Sequence, residues 1–331
     1  ESPKNPNLIW VGTDDGNVQI TRDGGKTWKN IASNIKGLPK NAWVSSIDAG
    51  HFDEGTAYAT FDLHTFGDMR SYVYKTTDFG QTWTPIAAKG NLRGYAHVVK
   101  EDLVNKDLLF VGTELGLWVS LDGGRQWAQY KGGDLPSVAV RDLAIHPRDK
   151  DLVIATHGRG IWIIDDITPL RALTPADLAK EAAFIEAKPT VQRIPAGGGW
   201  ANGDAVFVGN NPTSEAVITY YQQKRHIFGD LKIEILDESG KLLSTVPSSK
   251  RRGLSRAAWS MRLKAPRVPT AAGAAFGAAT GPRVLPGTYT VKMTKDKNVY
   301  TTQLQVMPDP RSKHTPADRR AQFDLSMKLY H

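Results

Sequence analysis

The sequence predicts an all-β protein in two parts: about four repeated sheets, then a β-sandwich and a short C-terminal helix. Three observations carry this reading. One turn signature recurs as Thr21-Arg22-Asp23-Gly24-Gly25-Lys26-Thr27-Trp28, Thr76-Thr77-Asp78-Phe79-Gly80-Gln81-Thr82-Trp83 and Ser120-Leu121-Asp122-Gly123-Gly124-Arg125-Gln126-Trp127. Strand-like runs flank each copy at matching places. After Pro169 the repeat gives way to alternating apolar and polar runs of sandwich type.

Each part of the signature has a mechanical role in a hairpin. The carboxylates of Asp23, Asp78 and Asp122 accept backbone N–H groups of their own turns, which otherwise point unpaired at the sheet end. Gly25, Gly80 and Gly124 supply positive φ. Trp28, Trp83 and Trp127 open the next strand and offer apolar plates for packing between neighbouring sheets. None of this calls for a substrate, so these aspartates are read as structural.

The pattern resembles the Asp-box, or BNR repeat, found in sialidases, xyloglucanase-type glycosidases, sortilin-type receptors and a photosystem assembly factor. The resemblance implies a β-propeller built from blade-sized repeats. It implies no single activity, because the same turn serves all of those functions.

The box aspartate recurs at 23, 78 and 122, and one more interval reaches Asp166, in Ile161-Trp162-Ile163-Ile164-Asp165-Asp166. That segment keeps the strand and lacks the Gly-x-Thr-Trp half, so it reads as a degenerate fourth copy. Upstream strands are expected at Leu8–Thr13, Thr56–Phe61, Leu108–Thr113 and Leu152–Thr156, with innermost strands at 43–49, 96–101 and 140–145. With blade strands lettered A to D from the centre outward, the first blade lacks its A strand and the fourth lacks an obvious D strand. About four blades do not close a ring and leave open sheet edges. Further blades are therefore expected on an upstream segment or a partner chain, and a first residue of Glu rather than Met fits a processed or partial product.

Strand alternation places the box turns at one end of every blade and the B–C loops at the other, with the D–A connections. This second face is the expected binding face. It carries Asp14, Asp15, His64, Asp68, Arg70, Glu114, His157 and Arg159, with Lys36, Lys40, Arg93, Tyr95 and Asp134 from the D–A loops. One reading makes it a polar concave site for a protein, peptide or glycan; the other makes these residues solvated loop tips that pair with one another. Candidate acid/base carboxylates for glycosidic chemistry are Asp15, Asp68 and Glu114. A sialidase needs three converging arginines and a Tyr-Glu pair; Arg70, Arg93, Arg141 and Arg159 are present, but the loops hold no such pair. Asp14-Asp15 and Asp165-Asp166 lack the rest of a calcium loop, so neither a metal nor a cofactor is expected.

The 331 residues give room for two domains, divided here as blades over 1–170, a linker with connecting strands over 171–200, a sandwich over 201–310 and a helix over 311–331. Thr174-Pro175-Ala176-Asp177 opens a short helix, followed by strand runs near 182–187 and 190–194 and turns at Ala196–Gly199 and Asn210–Pro212. Sandwich strands are expected at Ala216–Tyr221, Leu231–Leu236, Leu242–Val246, Arg256–Leu263, Thr288–Met293 and Thr301–Val306, with a mobile Ala/Gly/Pro-rich loop over Ala265–Arg283. Gly253-Leu254-Ser255-Arg256-Ala257-Ala258-Trp259 followed by Leu285-Pro286-Gly287-Thr288-Tyr289-Thr290-Val291 resembles the immunoglobulin-like domain of flagellar hook-capping proteins, with Ser255 where that pattern has Asn. Thr315-Pro316-Ala317-Asp318 caps a final helix whose apolar stripe is Ala321, Leu325 and Leu329.

There is no cysteine, which excludes disulfides, thiol catalysis and thiolate metal sites. No apolar run reaches the length of a membrane span, and no signal peptide is read. The net charge is +8, with the densest basic clusters at Lys224-Arg225-His226 and Lys250-Arg251-Arg252. They read as a solvated face, and no nucleic-acid module accompanies them. Taken together, the boxes, Thr156-His157-Gly158-Arg159-Gly160-Ile161-Trp162 and the trailing sandwich resemble the C-terminal part of bacterial sortilin-like BNR-repeat proteins. The resemblance implies a secreted or periplasmic binding and scaffold protein, or alternatively a glycoside hydrolase with carboxylates partly in blades outside this chain.

Overall fold

The computed structural model describes residues 1–87, 91–185, 189–194, 209, 211–269 and 280–330. The Ala196–Gly199 turn, residues 186 and 187 of the first connecting strand, residue 210 and positions 270–279 of the Ala/Gly/Pro-rich loop lie outside the described residues. The chain forms two compact units, Glu1–Arg171 and Ala172–His331.

The first unit is four antiparallel sheets in series. The first has β1 (Ile9–Gly12), β2 (Val18–Thr21) and β3 (Lys29–Asn30). The second has β4 (Trp43–Ala49), β5 (Ala57–Leu63), β6 (Asp68–Thr76) and β7 (Thr84–Pro85), and the third β8 (Ala96–Glu101), β9 (Leu109–Thr113), β10 (Gly116–Ser120) and β11 (Ala128–Gln129). The fourth has β12 (Val140–Ile145), β13 (Leu152–Thr156) and β14 (Ile161–Ile164). The innermost strands β4, β8 and β12 match the expected bounds, and β4 packs on β8 and β8 on β12. The first sheet lacks an inner strand and the fourth an outer one, as the repeat spacing implies.

The apolar runs follow from this stacking. Every residue of β5, β9 and β10 is buried, because these strands face a neighbouring sheet on both sides. Three hydrophobic clusters fill the three inter-sheet spaces: one around Trp10, Phe61 and Trp83, one around Tyr58, Val111 and Trp127, and one around Phe110, Leu143 and Ile154. At the degenerate fourth copy no box forms. Asp166 takes a left-handed φ of 54° and its N–H donates to Asp151. The chain then enters α1 (Thr168–Ala172), whose Arg171 makes a two-pronged pair with the fully buried Asp102 of the third repeat. That ion pair ties down the end of the last blade in place of an outer strand.

The boxes are built alike. In each, the aspartate accepts a hydroxyl from the residue two positions earlier, from Thr21 at 2.7 Å, Thr76 at 2.8 Å and Ser120 at 2.8 Å. It also accepts the N–H four positions on, at 2.9 Å in every copy, from Thr27, Thr82 and Gln126. Thr27 and Thr82 add a hydroxyl bond of 2.6 Å to the second carboxylate oxygen, which Gln126 does not supply. The expectation that all three tryptophans pack between blades holds for Trp83 and Trp127 and fails for Trp28. Trp83 meets Trp10 of the preceding sheet edge-on at 6.2 Å, and Trp127 donates to Ile86 O at 2.9 Å. Trp28 stays 46% exposed and donates to its own Gly25 O.

In the second unit, α2 (Pro175–Ala179) begins with the expected reciprocal cap between Thr174 and Asp177. The remaining strands are β15 (Ala182–Phe184), β16 (Thr190–Gln192), β17 (Ala216–Gln222), β18 (Leu231–Leu236), β19 (Leu242–Val246), β20 (Gly253–Trp259), β21 (Gly287–Lys295) and β22 (Asn298–Pro308). They form one sheet ordered β15-β17-β20 and another ordered β16-β22-β21-β18-β19, closed over one core that includes Trp259, Tyr220, Ile233 and Val291. This is a β-sandwich. Strand β20 spans 253–259 rather than the expected 256–263, because Met261 adopts a φ of 55° and ends the extended run.

The closing helix α3 (Pro316–Tyr330) is capped by Thr315 and Asp318 as expected. Its inward face is another correction. Ala321, Leu325 and Leu329 are exposed, while Phe323, Met327 and Tyr330 are half-buried. The bonds that hold it run from Arg319 to the buried Gln192 and from Tyr330 Oη to Lys264 O, and they set the rotation that the apolar count alone does not. Among the described residues no helix is long and apolar enough to cross a membrane.

Candidate functional site

The three innermost strands share a defect at the same place. Pairing of β4 with β5 slips between Val44 and Ser46, of β8 with β9 between Ala96 and Val98, and of β12 with β13 between Val140 and Asp142. The residues left unpaired are Ser45, His97 and Arg141. A bulge bends its strand and re-aims the side chain it carries. Here it is repeated in three successive blades, at the end where the B–C loops lie.

These side chains and their neighbours form one connected group. Ser45 Oγ and Thr60 Oγ1 lie 2.9 Å apart, and Thr60 donates to His97 O at 3.0 Å. The His97 ring meets Trp43 edge-on at 5.4 Å. Its Nδ1 is 3.1 Å from Asp62 Oδ2 and 3.1 Å from Arg141 Nη1. Arg141 also donates to Tyr95 Oη at 3.2 Å, and the Tyr95 ring stacks on His64 at 4.4 Å. The His64 N–H and Nδ1 both face Asp62 Oδ1, at 3.0 and 2.6 Å.

Asp62 anchors the group. It is fully buried and pairs with Trp43 of β4, while the pairing of β5 with β6 slips between Phe61 and Leu63 and skips this position. Burial alone pushes a carboxyl up, yet bonds from His97 and from the His64 backbone and ring outweigh it and hold Asp62 below the usual range. An ionised carboxylate only accepts, so Nδ1 of His64 carries its proton. His97 faces a choice. With Nδ1 bare it accepts from Arg141; with Nδ1 protonated it donates to Asp62, and one atom does not do both. The group therefore offers guanidinium and imidazole donors and the half-buried Trp43 ring over a buried negative charge, with Tyr95 buried beneath His64.

The residues expected from the loops fall into two sets. His64 belongs to this group, and Glu114 adjoins it through its N–H to Tyr95 O at 3.1 Å. Among the described residues no hydrogen bond, ion pair or ring contact links the others to it. Asp15 is exposed, bonded to Thr13 and to Asn17 at 2.8 Å, and both bonds lower its pKa. Asp68 is held in a two-pronged pair by Arg70, at 2.6 Å for the shorter contact, with a further bond from Tyr72. The Arg70 bond holds its carboxyl far below the usual range. A general acid needs the opposite shift. Asp14 is exposed, and His157 and Arg159 stand exposed on the short loop after β13. Trp43 and His97 sit in strands, outside the loops expected to bind, and Asp62, the first residue of the expected loop 62–70, is not among the candidates; a polar residue near the start of each inner strand, Ser45, His97 and Arg141, is the available signal.

Residues 71–170 match the family model Sortilin-Vps10 (sortilin, neurotensin receptor 3), and residues 19–30 match the BNR/Asp-box repeat. The first unit is a run of BNR-type propeller blades. No curated protein matches the chain. Among solved structures, YCF48 bound to D1 peptide is 20% identical at a TM-score of 0.35, covering 49% of this chain and 48% of that one. YCF48 from Cyanidioschyzon merolae is 19% identical at 0.35, covering 50% and 51%. The GH74 xyloglucanase from Xanthomonas campestris is 12% identical at 0.38, covering 91% and 44%. The chain spans about half the length of each of these structures. With every score below 0.5, the assignment of the BNR blades rests on the boxes themselves and on the two matched families.

Proposed function

We propose that the BNR blades form a recognition module of an extracytoplasmic scaffold protein, binding a protein, peptide or glycan partner at the inner ends of β4, β8 and β12. The single supporting observation is the bulge repeated in three blades, which gathers Ser45, His97 and Arg141 around the buried Asp62. Repeating a defect that breaks ladder pairing gains nothing for the sheet itself, and it serves to direct side chains. The donors on offer suit a ligand rich in acceptor oxygens, with the half-buried Trp43 as an apolar face beside them. Further blades would complete the three-stranded first and fourth sheets.

The test pairs binding with turnover. The chain is screened on peptide and glycan arrays and assayed for hydrolysis of the same glycans. The reading expects an array ligand whose affinity falls at least about tenfold in Arg141→Ala and His97→Ala, as for loss of a charge-assisted hydrogen bond, with no turnover. Binding that survives both changes places the partner elsewhere. Hydrolysis lost by orders of magnitude in Asp15→Ala, Asp68→Ala or Glu114→Ala replaces the scaffold reading with a glycoside hydrolase.

A further inference from the structure

The two basic clusters of the second half, separate in sequence, are one surface in the sandwich. The His226 N–H donates to Lys250 O at 2.9 Å, and Lys250 Nζ returns to Gly229 O at 2.7 Å. Lys224, Arg225, Lys250, Arg251 and Arg252 are all exposed around this junction. None of the five is paired with a carboxylate among the described residues. Between them, at the loop tip, Ile227 is 66% and Phe228 85% exposed. Single exposed apolar residues are ordinary; two in succession beside a cluster of cations with no carboxylate partner among the described residues are not.

The tip is held rigidly. His226 is buried under it, and Gln222 reaches across to Ser249 O and Arg251 O at 2.9 and 3.0 Å. Tyr220 Oη donates to Ser249 O at 2.9 Å, which fixes the second loop. Gly229 turns at a φ of +85°, a backbone conformation L side chains rarely adopt, and a side chain there would displace the Asp296 carboxylate. The loop is thus ordered while its two largest apolar groups face water, an arrangement that a polar tip would achieve without the exposure. Nearby acids are Asp230, Asp296, which lies 3.6 Å from His226 Nε2, and Glu181, whose O accepts the Gln223 N–H and whose carboxylate pairs with Lys295; against the five cations the surface is net positive.

We propose that this surface docks the protein on an anionic lipid membrane, with Ile227 and Phe228 entering the headgroup–acyl boundary and the five cations meeting lipid phosphates. A protruding Phe needs a receiving phase that deforms around it, which a bilayer interface supplies, and the basic cluster lies where the headgroups would be. A flat acidic protein would engage the cations and leave the tip in water. This inference is independent of the propeller site.

Co-sedimentation of the whole chain with phosphatidylcholine vesicles, with and without phosphatidylglycerol, tests it. The expected result is binding to the anionic vesicles alone, weakened by salt. The affinity falls about tenfold in the Ile227→Ser/Phe228→Ser pair and in the Arg251→Glu/Arg252→Glu pair, with thermal unfolding unchanged because all four residues are exposed. Absence of vesicle binding overturns the proposal. So does vesicle binding that the Ser pair leaves intact, or retention on a polyglutamate resin without vesicle binding, which assigns the surface to an acidic protein.

Discussion

The first and second Asp-boxes are the same turn in two settings. Both hold their aspartate with hydroxyl and N–H bonds of matching length. Yet Trp28 is 46% exposed and Trp83 only 7%, and the third-box Trp127 only 4%. The glycines diverge in the same way. A side chain on Gly80 would collide with Ile31 of the preceding blade, and one on Gly124 would press on Ile86 at 2.9 Å, whereas one on Gly25 meets nothing nearer than Trp28 at 3.8 Å. The turn is a local device that closes on its own polar groups. What it contributes to packing depends on whether a neighbouring blade lies against it.

The largest expected effect is at the packed tryptophans. Trp127→Ala should lower unfolding free energy by about 3–5 kcal/mol, as for other buried Trp truncations, while Trp28→Ala should cost under ~1 kcal/mol. Denaturant titration decides it, and equal losses at the two sites would erase the distinction between settings. Next comes the glycine pair. Gly80→Ala adds overpacking against Ile31 to left-handed strain, about 2–4 kcal/mol in sum, against about 1 kcal/mol of strain alone for Gly25→Ala. A Gly25 variant as unstable as the Gly80 one would mean that backbone strain, not blade contact, governs the site.

The pH dependence separates the boxes from the buried group near the bulges. Asp23 is held at about 2, chiefly by the Thr27 hydroxyl, and Asp62 is also lowered. Carboxyls lowered in the folded state stabilise it fully above their unfolded values near 4 and lose that contribution as pH falls through the folded values. Denaturation midpoints should therefore be level above about pH 5 and fall towards pH 2, less steeply in Asp62→Asn. A slope unchanged by Asp62→Asn would show that the buried aspartate titrates in the native protein as it does in the unfolded chain. The smallest effect sharpens the comparison within the boxes. Gln126→Thr restores the hydroxyl that Thr27 and Thr82 supply and should add about 0.5–1 kcal/mol. No gain would mean that the second carboxylate oxygen is satisfied as well by water.

Much of this was legible from residue order. The inner strands 43–49, 96–101 and 140–145, the missing strands at either end of the blade series and both helix caps follow from short-range chemistry, in which a Thr or Asp meets partners a few residues away. The site was only partly legible. His64 was visible as a charged loop residue, but His97 sits in a strand, Asp62 is held in the structure by strand β5, and the bulges left only a polar residue near the start of each inner strand as their mark. Asp68 and Arg70 showed the opposite difficulty. They look like a site in sequence, and in space they satisfy each other.

Residue order by itself determined the box turns, the inner blade strands and the all-β class, because those depend on hydrogen bonds and φ values settled within some ten residues. Only the tertiary structure decided which tryptophan is buried, which face of α3 turns inward, that His97 and Arg141 converge on Asp62, and that two basic loops frame one apolar tip. Each of these depends on what another part of the chain presents at a distance of a few ångströms, and burial and charge pairing are properties of that neighbour as much as of the residue.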